Sequence, residues 1–344
     1  IDESMMQNIN PTYILDFPIS EGILLPETQN IIYYDVVEDI FGNPDYGTND
    51  LCDIQIGLTG IFAFLLGYSL GLPEMFDPIN GNPGIGYFGL MDHGSNNGRG
   101  VIPSPPTAWT RILKGWSEEV KIVESGVYTL EPRNKNDVVF RIDISDTEYF
   151  LIENCNNQVL PDIDVDSLRR KNRVSDSQLA NWFDTIIDDV SETEYSMNEN
   201  VFTKFENYDI GLPGSGILIW HITDIGDLDI MSGLNNDKEK RYVHVEEADG
   251  SIDIGYNSLN PLFTQHVNGW EYDLWYVDNY YYFNYGNPEF KGNNNDGIVY
   301  FNDDSTPNSK TKQLSDSNVS ISVLSKAGAE MKIEVNLESS SNFK

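Results

Sequence analysis

Five carboxylates in the last third of the chain are spaced so that they could bind a metal ion. They are Glu246, Glu247, Asp249, Asp253 and Asp273. The first four surround Gly250, and carboxylates one or two residues apart at a glycine turn can direct several oxygens toward one point. Ca²⁺ is a hard cation that prefers such an oxygen shell. The spacing therefore predicts a calcium site here, the alternative being a solvated acidic turn.

Three histidines are further candidates for metal ligands. His221 and His244 each lie in a predicted strand and alternate with apolar neighbours. They could meet across a sheet and share a metal, but we favour histidines held by hydrogen bonds in a core or at a sheet edge. His93 has no partner in its own segment, which favours a surface or hydrogen-bonded residue over a ligand.

A long apolar stretch covers residues 61–77, with the sequence IFAFLLGYSLGLPEMFD. Its length is typical of a helix, and Gly71 and Pro73 are the usual signals that end one. The stretch resembles the zinc-binding helix of the immune inhibitor A-like secreted metallopeptidases. That helix carries His-Glu-x-x-His-x-x-Gly, followed by Leu-Pro, an acidic residue and an aromatic-Asp pair. The residues that match this frame are Gly67, Gly71, Leu72, Pro73, Glu74, Phe76 and Asp77.

The resemblance continues in register from about residue 59 to the end of the chain. The segment 84–91 is similar to the family's approach to its methionine turn, and Met91 takes the place of the methionine beneath the metal. Further similar segments are residues 105–109, 113–116, 148–154, 212–221, 245–250 and 305–309. So many matches in order are far more specific than one short motif. The resemblance implies a zincin-like fold with a methionine turn.

The catalytic groups of that family are replaced in this chain. Phe64 and Tyr68 stand where the two zinc-binding histidines would be, and Leu65 stands at the general-base position. Phe and Leu have no lone pair, and Tyr could bind zinc only as a phenolate, drawn from a group whose reference pKa is about 10. Glu74, at the third-ligand position, remains a good donor. Without zinc nothing lowers the pKa of a bound water or polarises a peptide carbonyl.

We therefore expect no zinc and no peptidase activity. The sequence predicts a pseudopeptidase with a binding or structural function. The alternative is an active metallohydrolase with a site rebuilt from Glu74, Tyr68, His93 and Asp77. An inert cleavage product of a larger protein is a third hypothesis.

The predicted fold class is α+β, in two domains. Residues 1–116 are expected to form an incomplete, degenerate metallopeptidase-like domain with helices and the methionine turn. Residues 117–344 are expected to form an antiparallel, sandwich-like β domain, because short alternating stretches recur from residue 120 onward, each bounded by turn residues. A helical insertion is predicted near residues 162–201, with an amphipathic helix over 176–190.

Composition limits the classes of partner. The 344 residues carry a formal net charge of −34, and 40% of them are hydrophobic, enough for real cores. Nucleic acid and anionic membranes would repel such a chain, so neither is an expected partner. No apolar run is long enough to span a membrane. Cys52 and Cys155 form either one disulfide or two buried thiols.

The resemblance also bears on processing and location, and the aromatic residues allow one more structural prediction. The family has a much longer section before its zinc helix, so we expect a processed or trimmed chain whose upstream half is a candidate partner. The resemblance also implies a secreted or cell-surface protein, acting through a protein partner or by self-assembly. The aromatic-rich segment 270–285 forms either an exposed stacking surface or the aromatic side of a packed sheet, and we favour the packed arrangement.

Overall fold

The computed structural model describes residues 59–100, 103–157, 207–224, 234–256, 266–291 and 296–337, without the side chains of residues 98 and 99. It also describes the backbone of four short strands outside these ranges. The predicted helix at 176–190 and Cys52 lie outside the described residues. The end of the predicted helical insertion, near residues 195–201, is strand.

The described elements are two α-helices and thirteen strands. The helices are α1 (Thr59–Ser69) and α2 (Ala108–Leu113). The strands are β1 (Val37–Glu38), β2 (Pro44–Asp45), β3 (Glu118–Lys121), β4 (Gly126–Leu130), β5 (Val138–Asp143), β6 (Glu148–Cys155), β7 (Tyr195–Asn198), β8 (Val201–Phe205), β9 (Gly216–Thr223), β10 (Val243–Val245), β11 (Val299–Phe301), β12 (Val319–Val323) and β13 (Met331–Leu337). Short 3₁₀ segments span Gly86–Phe88, His93–Gly100, Tyr208–Gly211, Glu271–Asp273 and Pro288–Phe290, and a π turn spans Tyr282–Gly286.

Two larger sheets organise these strands. The five-stranded sheet has the order β10-β9-β6-β5-β3, and the four-stranded sheet has the order β11-β12-β13-β4. The pairs β1-β2 and β7-β8 are separate antiparallel ribbons. Every named pairing is antiparallel except β3-β5, which is parallel. The expectation of antiparallel sheet therefore holds for most of the described pairings, and the β3-β5 edge is the exception.

The two sheets pack face to face through alternating side chains. Along β9, Ile217 and Ile219 face the four-stranded sheet, where they meet residues such as Ile333 of β13. The intervening Leu218 and Trp220 point to the opposite face. This period of two is the ordinary geometry of a strand, and here both of its faces are buried.

The second face of the five-stranded sheet is covered by the helices. Phe64 and Leu65 of α1 and Trp109 of α2 belong to the same core as Leu218 and Trp220. Thr107 is the N-cap of α2, because its hydroxyl accepts a hydrogen bond from the Thr110 N–H at 3.1 Å. The helical region and the sheet thus share one core across the predicted boundary at residues 116 and 117.

The fold class agrees with the sequence at the coarse level. The described chain is mixed α+β, has few helices, and consists mostly of antiparallel sheet. α1 ends where the sequence indicated, because Gly71 follows it with φ of +69° and the Leu72 N–H returns to the Gly67 carbonyl at 2.9 Å. Among the described helices, none combines the length and apolar character that a membrane crossing requires.

Candidate functional site

Three of the predicted motif positions, Phe64, Leu65 and Tyr68, lie on α1. Phe64 and Leu65 are buried, and the ring of Phe64 meets the ring of Tyr68 edge-on with centroids 4.9 Å apart. The ring centroid of Phe76, which follows the helix, lies 6.3 Å from the ring centroid of Phe64. Residues four apart lie on one helical face, so the contact between Phe64 and Tyr68 is expected. Phe64, Leu65 and Phe76 therefore belong to one apolar core, against which Tyr68 packs.

Tyr68 and Glu74 are joined by a hydrogen bond. The Tyr68 hydroxyl donates to Glu74 Oε1 at 2.7 Å. Burial and the neighbouring Glu74 carboxylate raise the pKa of Tyr68, so the phenolate that metal binding would need is strongly disfavoured. Burial also raises the pKa of Glu74, against the opposing effect of the Tyr68 hydrogen bond. Each group satisfies the other in the absence of a metal.

Met91 lies directly beneath α1. A Cβ built on Gly67 would stand 2.5 Å from Met91 Sδ, so the helix and the methionine are in close contact. The Met75 N–H donates to the Met91 carbonyl at 3.0 Å, which ties the segment after the helix to the same turn. The structure therefore brings together all five predicted motif positions: Phe64, Leu65, Tyr68, Glu74 and Met91.

This contact gives a first prediction. Replacing Gly67 by Ala is expected to destabilise the protein by about 1–3 kcal/mol, because Met91 must move to admit the methyl group. Gly126→Ala is the control, since its Cβ would approach no atom closer than 3.9 Å. Urea unfolding of both variants measures the difference. Equal stability of the two variants would mean that α1 does not press on Met91.

The residues of the alternative, rebuilt metal site are engaged separately. The ring Nδ1 of His93 makes a hydrogen bond with Asn268 Oδ1. Asp77 Oδ1 accepts the Ile79 N–H at 2.9 Å, and its Oδ2 accepts from the Asn80 amide at 2.7 Å. Both residues therefore serve local turns and contacts, while Tyr68 and Glu74 pair with each other.

Three of the five predicted calcium ligands converge. One carboxylate oxygen from each of Glu247, Asp249 and Asp273 lies within 4.8 Å of the other two, and all three residues are buried. Within the described parts of the chain, no other three His, Cys, Asp or Glu side chains meet in this way. Gly250 makes the turn possible, because it has φ of +83° and a Cβ there would lie 2.4 Å from the Cα of Gly286.

The other two predicted ligands have different positions. Asp253 lies beside the cluster, since its backbone N–H donates to Glu247 Oε2 at 3.0 Å. Glu246 points elsewhere, and its Oε1 pairs with His221 Nδ1 at 2.8 Å. Consecutive side chains of an extended segment point to opposite sides, which explains why the neighbouring Glu246 and Glu247 side chains cannot both point into the cluster. The cluster thus comprises the converging carboxylates of Glu247, Asp249 and Asp273, with Asp253 at its edge.

The clustered carboxylates destabilise one another's charges. Burial raises the pKa of Glu247 and of Asp273 well above their ordinary values, and the neighbouring carboxylates add to the increase. Burial and the charge of Asp249 raise the pKa of Asp253 to about 6. Arg241 supplies one positive charge that interacts with Glu247, while its Nη2 donates to the Ile254 carbonyl. A bound cation would relieve this repulsion.

Trp270 is attached to the cluster at two points. Its backbone N–H donates to Asp273 Oδ2 at 2.8 Å, and its indole Nε1 donates to Asp249 Oδ2 at 3.0 Å. The indole also packs against the rings of Tyr272 and Tyr281, with centroids 4.7 and 4.5 Å away. Sequence analysis did not assign Trp270 this position, although the residue stands three before Asp273.

The aromatic segment divides into a buried and an exposed part. Trp275, Tyr282 and Phe283 belong to the core between the two sheets. Tyr280 and Tyr285 remain 55% and 65% exposed. The expectation of a packed segment therefore applies to only part of it.

A buried ionic network links α2 to the five-stranded sheet. Glu153 Oε2 pairs with Arg111 Nη2 at 2.7 Å, and Glu153 Oε1 lies 3.3 Å from Arg133 Nη1 and accepts the Trp220 indole N–H at 2.9 Å. Arg133 also pairs with Asp209, with Arg133 Nε 2.6 Å from Asp209 Oδ1. Glu153 lies at the end of an apolar strand, where a charged residue could face solvent, but Glu153, Arg111 and Arg133 are all buried.

His221 occupies a second buried network. Its ring nitrogens pair with Glu148 and Glu246 at 2.9 and 2.8 Å. His244 stands opposite His221 across the β9-β10 pairing, and its Nδ1 lies 3.4 Å from Arg241 Nη1. These contacts agree with histidines held by hydrogen bonds. Cys155, next to the Glu153 network, is a buried free thiol.

Comparison of the chain with protein-family models, with curated proteins and with solved structures gives no match. The function is therefore argued from the geometry of the described residues.

Proposed function

We propose that this protein is a catalytically inactive counterpart of the immune inhibitor A-like metallopeptidases and acts as a binding or structural protein. In this proposal it works outside the cell or at the cell surface, through a protein partner or by self-assembly. The resemblance of the motif segments supports the family assignment. The formal charge of −34 is compatible with surroundings rich in cations, which screen its self-repulsion.

One observation carries the proposal. The donor positions of the zinc motif hold Phe64 and Tyr68, and the Tyr68 hydroxyl donates to Glu74, the one remaining good donor. A zinc hydrolase needs three protein ligands and an open position for water. A single carboxylate already bound to a phenol supplies neither. The scaffold can still present a surface, which is what a binding or structural protein requires.

The alternative of a rebuilt peptidase has weaker support. Its four residues would have to direct their donor atoms to one point, but His93 pairs with Asn268 and Asp77 with its own turn. We retain it as the outcome that the experiment must be able to detect.

A peptide-cleavage assay tests the proposal. The protein is incubated with a broad peptide library with zinc, with calcium and with a chelator, alongside the Glu74→Gln variant. We expect no cleavage above the enzyme-free background under any condition, and no difference between wild type and variant. Zinc-dependent cleavage that disappears in Glu74→Gln would overturn the proposal. A similar loss in Glu289→Gln, an exposed carboxylate, would instead indicate a general effect of charge.

A further inference from the structure

We propose that Glu247, Asp249 and Asp273, with Asp253 at their edge, bind one hard divalent cation, best represented by Ca²⁺, and that this cation fixes Trp270 and the exposed tyrosines beside it. The site is separate from the degenerate motif on α1. It would make an aromatic surface of the protein dependent on calcium.

Unpaired oxygens are the first support. Glu247 Oε1, Asp253 Oδ1 and Asp273 Oδ1 are inaccessible to solvent and accept no hydrogen bond from an N–H or hydroxyl donor of the described residues, although the Glu247 and Asp253 carboxyl groups lie close to each other. Leaving a buried charged oxygen unpaired costs more than about 1–3 kcal/mol, so such atoms need an explanation. Three of them in one cluster of carboxylates are explained together by a cation between them.

The second oxygens of these carboxylates are held in place. Glu247 Oε2 accepts the N–H groups of Asp253 and Ile254 at 3.0 and 3.3 Å. Asp273 Oδ2 accepts the Trp270 N–H at 2.8 Å. Glu247 and Asp273 therefore each have one oxygen anchored by backbone and one oxygen left for a ligand, while both oxygens of Asp249 accept hydrogen bonds, from the Ser251 N–H and the Trp270 indole. Carboxylates that bind metals are commonly oriented in this way, by hydrogen bonds from groups that do not themselves contact the metal.

The donor set favours a hard cation. All four residues offer carboxylate oxygen, which suits Ca²⁺, Mg²⁺ and Mn²⁺, whereas zinc sites in proteins are built largely from Cys and His. Arg241 interacts with Glu247, but burial and the neighbouring carboxylates still oppose ionisation of the cluster, and a divalent ion would stabilise the ionised form. Ca²⁺ also tolerates irregular geometry better than Mg²⁺.

Trp270 connects the site to the protein surface. Its indole donates to Asp249 and stacks among Tyr272 and Tyr281, and Tyr281 stacks nearly parallel to Tyr285 with centroids 4.9 Å apart. Tyr285 is among the most exposed aromatic residues described. A cation that fixes Asp249 and Asp273 thus fixes both anchors of Trp270, and through it the exposed rings.

Terbium luminescence tests the site directly. Tb³⁺ replaces Ca²⁺ at oxygen sites and emits when a nearby indole transfers energy to it. We expect one sensitised Tb³⁺ per chain, displaced by Ca²⁺ more readily than by Mg²⁺. Asp273→Asn should weaken binding roughly 10- to 100-fold. Trp270→Phe should lose the emission while equilibrium dialysis still finds bound Tb³⁺.

Two controls make the test specific. Glu289→Gln removes an exposed carboxylate, and Glu246→Gln removes the predicted ligand that points away from the cluster. Both variants should bind Tb³⁺ as wild type does. Loss of binding in Glu246→Gln with binding retained in Asp273→Asn would overturn the assignment of ligands. Wild-type protein without sensitised emission and without dialysable Tb³⁺ would overturn the site itself.

Thermal unfolding provides a measurement that does not depend on luminescence. In chelator, Asp273→Asn should unfold at the same temperature as wild type or higher, because it removes a carboxyl group whose ionisation burial and the neighbouring carboxylates oppose. In excess Ca²⁺, wild type should gain roughly 5–10 °C and the variant little. Asp253→Asn, at a less buried position, repeats the comparison if Asp273→Asn does not fold. A wild-type unfolding temperature that is the same in chelator and in Ca²⁺ would contradict the proposal.

Discussion

Replacing Phe64 and Tyr68 together by histidine is expected to create a zinc site on α1. Positions 64 and 68 lie on one face of α1, with ring centroids 4.9 Å apart, and the tip of the side chain at 68 reaches Glu74 Oε1. Two imidazoles and one carboxylate at these positions form the donor set of a catalytic zinc centre. We expect an apparent Kd of about 1 μM or below.

Cobalt substitution measures this gain. Co²⁺ in a tetrahedral site with nitrogen and oxygen ligands has a characteristic visible absorption, which the double variant should show and wild type should not. Adding Glu74→Gln removes the third ligand and should weaken binding at least about tenfold. A folded double variant that binds no Co²⁺ would mean that α1 does not present its residues as a zinc-peptidase helix does. Circular dichroism checks that the variants are folded.

Replacing Glu153 by Gln is expected to cost about 3–5 kcal/mol of stability. Glu153 is buried between Arg111 and Arg133, and removing its charge leaves two buried guanidinium groups without their shared partner. Asp143→Asn is the matched control, because Asp143 pairs with Lys121 in an exposed setting where an ion pair contributes below about 1 kcal/mol. Urea unfolding at pH 7 compares the two variants.

The same pair predicts a pH dependence. Burial alone would raise the pKa of Glu153, but Arg111 and Arg133 outweigh it and lower the pKa to about 2. A carboxyl with a lowered pKa contributes stability that is present above its unfolded pKa of about 4.3 and is lost as pH falls toward 2. The stability difference between wild type and Glu153→Gln should therefore decrease by about 3 kcal/mol between pH 5 and pH 2. A difference that does not change with pH would show that the network is not ionic.

Local sequence pattern predicted much of the sheet structure. The short alternating stretches that begin near residue 120 correspond to β4, β5 and β6. The parallel pairing of β3 with β5 was not accessible, because it depends on which edge of β5 remains free once β6 has paired with the other. Pairing partners are set by the whole sheet and leave little trace in a single segment.

Sequence spacing also predicted the site residues that lie close together in the chain but not those whose partners are distant. Spacing identified Glu247, Asp249 and Asp273, because a turn at Gly250 and a nearby second segment are visible in the sequence. The role of Glu153 was missed, since its partners Arg111 and Arg133 lie 42 and 20 residues away. A charge at the end of an apolar strand has the same pattern whether water or a buried arginine faces it. Only tertiary structure separates the two cases.

Elemental analysis of protein purified without chelator tests the central claim most directly. The claim is that the zinc site of the peptidase motif is lost and that a separate oxygen site binds a hard cation. The expected result is about one Ca²⁺ per chain in wild type, much less in Asp273→Asn, and no stoichiometric zinc. Stoichiometric zinc that is lost in Glu74→Gln and kept in Asp273→Asn would contradict the account.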